Sequence, residues 1–148
     1  MKSLFETSTQ EEIIKRIKSV TGHNKAQWGK MNVHQMLQHC TTGEDMYQGK
    51  ITIPRVFIGR ILGPTFLKKV LKDDKAFGKN SPTSEQMKFS EKAIDVENQK
   101  MEWIKRVKSY SEIKNLEIIH PFFGKMNKEQ IGLLAYKHAD HHLRQFGA

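Results

Sequence analysis

Apolar residues recur along this chain at intervals of three and four, separated by polar breaks, and that spacing predicts four principal helices. Ile13, Ile14, Ile17 and Val20 form the first stripe, which stops at Thr21-Gly22. Ser8 and Glu11 have the spacing of a capping box, so a helix is expected over about residues 9–20. Behind Asn32, a good N-cap residue, Val33, Met36, Leu37 and Cys40 share one face, with Trp28 upstream as a candidate hydrophobic staple. This second helix runs at least to Thr42 and, if it passes Gly43, to Gln48 before Gly49. Thr83 with Gln86 again has capping-box spacing. It predicts a long third helix whose inward face carries Ile94, Met101, Ile104 and Val107 as far as about Tyr110, with Trp103 alongside. Asn127 with Gln130 caps the fourth.

Two stretches do not fit that scheme. Ile51 to Leu71 is the most apolar part of the chain, but Arg55, Arg60, Lys68 and Lys69 interrupt it, far short of the ~20 residues of a membrane span. Gly63-Pro64 predicts two short helices, packed over the end of a bundle or, as the alternative weighed against it, lying on a membrane. Leu116 to Ile119 reads as one extended segment at most, because no period-two alternation persists. The expected architecture is all-α: a four-helix bundle with short extra helices between helices two and three, and residues 1–148 as a single domain.

The fourth helix carries the candidate chemistry. Its Leu134-Ala135-Tyr136-Lys137-His138-Ala139-Asp140-His141-His142-Leu143-Arg144 run holds three of the seven histidines. At about 100° per residue, His138 and His142 lie roughly 40° apart, in the middle of the stripe made by Ile131, Leu134 and Ala135. Lys137, Asp140 and Arg144 gather on the opposite side, which is expected to face water. An i, i+4 histidine pair can hold one metal ion between its rings. A protease-type zinc site is excluded, since Ala139 stands where that motif needs Glu.

Two imidazoles leave a site incomplete, and a third ligand must come from another helix. The second helix offers His34 and His39, which diverge by about 140°. Periodicity barely separates them and gives His39 a slight preference. Gln145 is the better candidate to hydrogen-bond a ligating imidazole, Asp140 pointing outward. His141, at the edge of the apolar face, and His120, before Pro121, are candidates for the surroundings of the site or for substrate contact. Solvent exposure and loop packing are the plainer alternatives for these two. Cys40 reads as a core residue before a ligand or nucleophile.

Composition then narrows the classes. One cysteine excludes an intramolecular disulfide, and the first residues lack the apolar core of a signal peptide, so a cytoplasmic location is expected. The formal net charge of +9 suits an anionic partner. Twenty of the 25 basic residues are lysines scattered along the chain, which argues against specific nucleic-acid readout and for a solvated surface.

Taken in order, Trp28-Gly29-Lys30-Met31-Asn32-Val33-His34-Gln35-Met36-Leu37-Gln38-His39, His120-Pro121-Phe122-Phe123-Gly124 and His138-Ala139-Asp140-His141-His142-Leu143-Arg144-Gln145-Phe146 resemble the DinB/YfiT-like superfamily of metalloenzymes. The closer likeness is to a branch of small bacterial proteins of unknown function. That resemblance implies a four-helix bundle with an open cavity in which His39, His138 and His142 hold a divalent metal, nickel or zinc. Its characterised members include transferases that add low-molecular-weight thiols to electrophiles.

Three functions follow as expectations: a metal-dependent enzyme transferring a thiol to a small-molecule substrate, or activating water as a hydrolase; a non-catalytic metal or small-ligand binding bundle of stress-response type; and association with nucleic acid or membrane through the positive charge. Whether the bundle forms a homodimer stays open.

Overall fold

Two asparagines open two of the helices by the same device. Asn32 Oδ1 accepts from the Gln35 amide at 2.9 Å while Gln35 Oε1 accepts from the Asn32 amide at 2.9 Å. Asn127 and Gln130 repeat the exchange at 3.0 and 3.1 Å. Each box satisfies two amides that the first helical turn leaves without partners. In the computed structural model, which describes residues 1–73, 75–79 and 85–148, the elements are α1 (Thr7–Ser19), α2 (Val33–Tyr47), α3 (Phe57–Val70), α4 (Val96–Ser109), β1 (Glu117–His120), β2 (Gly124–Asn127) and α5 (Lys128–Gln145). Short 3-10 turns lie at Glu85–Met87 and Tyr110–Glu112.

Helices α1, α2, α4 and α5 pack against one another, α2 lying on α4 and α5 while α1 closes the other side of the same two. Ile13, Ile17, Met36, Leu37, Trp103 and Leu134 meet between them without solvent exposure. Burying about 25 cal/mol per Å² of apolar surface, such residues supply most of the driving force for the fold.

The architecture departs from the all-α four-helix expectation. Among the described residues there are five α-helices, together with an antiparallel hairpin in which Glu117 faces Asn127 and His120 faces Gly124. The strands leave little pattern in the sequence because each has only four residues. Burial of Ile118 and His120 on β1 and of Gly124 and Met126 on β2 spans too few positions to show alternation.

Three helix boundaries also differ. The Ser8–Glu11 box does not open α1, which starts at Thr7 without a side-chain cap. Its entry is set from outside: the Leu4 amide donates to the Gly132 carbonyl at 3.1 Å and Gln10 Nε2 donates to the Leu4 carbonyl at 2.8 Å. Helix α4 begins only at Val96, capped by Asp95, whose side chain accepts from the Asn98 amide at 3.0 Å. The Thr83–Gln86 cap involves Thr83, which lies outside the described residues. Met101 points outward, 67% exposed, and the inner face is Lys100, Trp103 and Val107. Lys100 is tolerated there because Nζ donates to the Lys18 carbonyl at 3.0 Å and pairs with Glu97.

Finally, α3 is one helix running through Pro64 rather than two. Proline removes one rung, to the Arg60 carbonyl, and kinks or ends a helix that nothing else holds. Here Gly59, Gly63 and Leu67 lie buried on one side of the helix, before and after the proline. Among the described residues no helix is long and apolar enough to cross a membrane.

Candidate metal centre

Three imidazoles meet where α2 crosses α5. His39 comes from the middle of α2, His138 and His142 from successive turns of α5. Ring centroids are 5.0 Å apart for His39–His138, 4.7 Å for His39–His142 and 4.7 Å for His138–His142. One ring nitrogen from each falls within 4.8 Å of the other two, close enough for the three to hold a metal ion. His39 Nε2 and His138 Nε2 approach to 2.9 Å.

The orientation of two rings is set by carbonyl oxygens, which only accept. His39 Nδ1 lies 3.0 Å from the Met87 carbonyl, so the proton sits on Nδ1 and the Nε2 lone pair faces the centre. His142 Nδ1 lies 2.8 Å from Gln145 Oε1. Gln145 is held in that sense because its Nε2 donates to the Trp28 carbonyl at 2.7 Å, leaving the oxygen for the imidazole. His142 therefore also turns Nε2 inward. His138 differs, since its Nδ1 is buried without a partner. Against the bare His39 Nε2 it has to carry its proton on Nε2, and a metal would replace that proton.

Burial holds all three rings neutral. It pushes the His142 imidazole down to about 3 and lowers His39 and His138, the last helped by its histidine neighbours. Neutral imidazole is the ligating form, so the donor set fits a metal ion at ordinary pH. His39 and His142 are buried, while His138 keeps partial access to solvent.

Not every candidate joins the three. His34 accepts from the Ile94 amide at 3.3 Å and lies apart. His120 faces its own turn, where Nδ1 accepts from the amides of Phe122 and Phe123, both at 3.1 Å. It stacks on Tyr47 at 6.0 Å, and Tyr47 meets the His138 ring edge-on at 5.6 Å. His141 is half-buried, edge-on to His142 at 5.0 Å and to Trp28 at 5.6 Å, and it borders a shallow pocket with Phe77, Lys79 and Arg144. Cys40 is fully buried and its thiol is pushed up by burial, which removes it as a nucleophile. Asp140 pairs with Arg16 at 2.8 Å. Lys137, expected in water, is buried instead, its Nζ donating to the carbonyls of Asp73 at 2.6 Å and Lys75 at 2.7 Å.

Sequence reasoning missed the two carbonyls of Met87 and Trp28, because a backbone acceptor leaves no residue-type signal. It missed the role of Gly43, although the signal was present. Gly43 lies one turn beyond His39, and a Cβ there would stand 3.0 Å from His138 Cε1.

Residues 2–148 match the family DUF1569, a protein of unknown function, and the chain belongs to that family. No curated protein and no solved structure matches it.

Proposed function

We propose that His39, His138 and His142 are the ligands of a divalent metal, nickel or zinc, in a metal-dependent enzyme related to the DinB/YfiT-like proteins, which transfers a low-molecular-weight thiol to a small electrophile. The carrying observation is the convergence of three neutral imidazoles, two of them locked with Nε2 inward by carbonyl acceptors. Both locked rings aim an Nε2 lone pair at one point, the donor arrangement a cation requires, and the His138 proton that meets His39 Nε2 is the one a metal would displace. A bound divalent cation supplies Lewis acidity that turns a thiol or water into a nucleophile at neutral pH.

The protein's own part is to orient and to shield. Gln145 and the Met87 carbonyl fix the rings. Tyr47 walls one side of His138, the partly exposed ring of the three. Lys79 and Arg144 at the pocket beside His141 suit an anionic portion of a substrate or thiol.

A second reading, a metal-binding protein without turnover, is favoured by one observation. Among the described residues, the hydrogen bonds to the three rings come from carbonyl oxygens and from each other, none from a carboxylate able to act as general base.

Elemental mass spectrometry on untagged protein purified without chelator tests the site. Near-stoichiometric nickel or zinc is expected in the wild type and its loss in His39→Ala and His138→Ala. No metal after loading would overturn both readings. Metal without thiol-adduct formation above the metal-free background, across a panel of alkylating compounds, would leave the binding role.

A further inference from the structure

Helix α3 is turned inside out. Its buried residues are the small Gly59 and Gly63 with Leu67, while Phe57, Ile61, Ile58, Phe66 and Leu62 are 77, 62, 55, 44 and 40% exposed. The glycines explain the inversion. A Cβ at Gly59 would stand 2.5 Å from the Phe122 carbonyl oxygen and one at Gly63 closer still, so the helix seats its thin side on the Phe122–Phe123 turn. On a helical wheel the five large apolar side chains cover about half the circumference. Contiguous apolar surface of this kind marks a docking face rather than ordinary exposure.

Charge identifies what docks there. From Met46 to Lys72 there are six Lys and Arg residues and no Asp or Glu. Arg60, Lys68 and Lys69 are exposed on α3 and form no ion pair among the described residues; on the wheel Lys68 and Lys69 stand on the apolar side at its C-terminal end. A second copy of this chain is disfavoured, because a two-fold contact through α3 would bring both sets of cations together with no carboxylate in the segment to pair them. Nucleic acid would leave Phe57 and Ile61 unused. A lipid surface satisfies both halves: the apolar side chains enter the acyl boundary, while the long lysine stems reach back to anionic headgroups.

We propose that α3 is an interfacial anchor through which this protein docks reversibly on anionic membranes. The anchor is independent of the metal reading, since it shares no residue with the three histidines.

Flotation of the full chain with phosphatidylglycerol-containing vesicles, and with phosphatidylcholine alone, tests it. Binding is expected to the first and not the second. Phe57→Ser with Ile61→Ser, and separately Lys68→Glu with Lys69→Glu, should each lower the bound fraction by about tenfold or more. All four side chains are exposed, so the thermal midpoint should not move. No wild-type binding to anionic vesicles overturns the proposal. So does binding that survives the Phe57/Ile61 change, which would be plain electrostatic adhesion, or a dimer on light scattering that this change dissolves, which would make α3 a self-association face.

Discussion

Gly43 lies against the His138 ring so closely that a Cβ in its place would stand 3.0 Å from Cε1 and 3.5 Å from Nδ1. In most helix interiors Gly→Ala stabilises by about 0.5–1 kcal/mol. Here the added methyl presses on a ring argued to be a ligand. Gly43→Ala should therefore leave the thermal midpoint of the metal-free protein level or slightly raised while weakening metal binding about tenfold. Competitive titration with a chromophoric chelator reads this, and equal affinities would show that the ring has room to move.

Gln145 offers a sharper test of ring orientation. Replacing it with Leu removes the acceptor for His142 Nδ1 and the donor to Trp28, and metal affinity should fall about 10–100-fold. Gln145→Glu keeps an acceptor and should recover most of that loss, though it cannot donate to the Trp28 carbonyl. If Leu and Glu behave alike, the hydrogen bond to His142 does not govern the site.

Glu44 is fully buried between α2 and α4, where Tyr110 donates to it at 2.7 Å and Trp103 at 3.4 Å, and burial pushes its carboxyl up to about 7. A raised carboxyl means that the folded state holds a proton the unfolded chain has released. Its contribution to stability is therefore complete below about 4.5 and lost as pH rises to about 7. At about 1.36 kcal/mol per unit, the loss is on the order of 3 kcal/mol. Glu44→Gln should gain stability over the wild type progressively between about pH 4.5 and 7 and hold that gain above it, in denaturant melts. The buried histidines act oppositely, their stabilisation falling away below about 6.5, so the variant-minus-wild-type difference isolates Glu44. A difference independent of pH would mean that Glu44 is ionised throughout.

Gly63→Ala should dislodge α3 from the Phe122 carbonyl, a backbone atom with no freedom to swing away. A destabilisation of about 1–3 kcal/mol is expected. Limited proteolysis should show earlier cleavage on either side of residues 57–70. An unchanged midpoint and cleavage pattern would mean that α3 is not seated as described.

Much of the local structure was legible in particular residues. Asn32 and Asn127 announce the starts of α2 and α5 because a capping box is a contact between residues three apart and depends on nothing distant. The facing of His138 and His142 follows from helical period alone. Where the outcome depends on what the segment meets, the sequence misled. The local effect of Pro64 is to remove a hydrogen bond, which predicts a break, yet packing on one side carries α3 through it. Lys137 lies on the polar side of the wheel, yet the carbonyls of Asp73 and Lys75 capture its ammonium group. Met101 fitted the expected stripe of a longer helix and ends up exposed, since α4 starts later and turns Trp103 inward.

By itself the sequence determined the helical periodicity, the two asparagine caps and the pairing of His138 with His142, all interactions within one turn whose geometry the backbone imposes. Only the tertiary structure decided that His39 rather than His34 meets that pair, that the carbonyls of Met87 and Trp28 set the ring orientations, and that α3 shows its apolar side to solvent. Each of these joins residues tens of positions apart, and the approach that settles them depends on which surfaces leave water together, which no local pattern records.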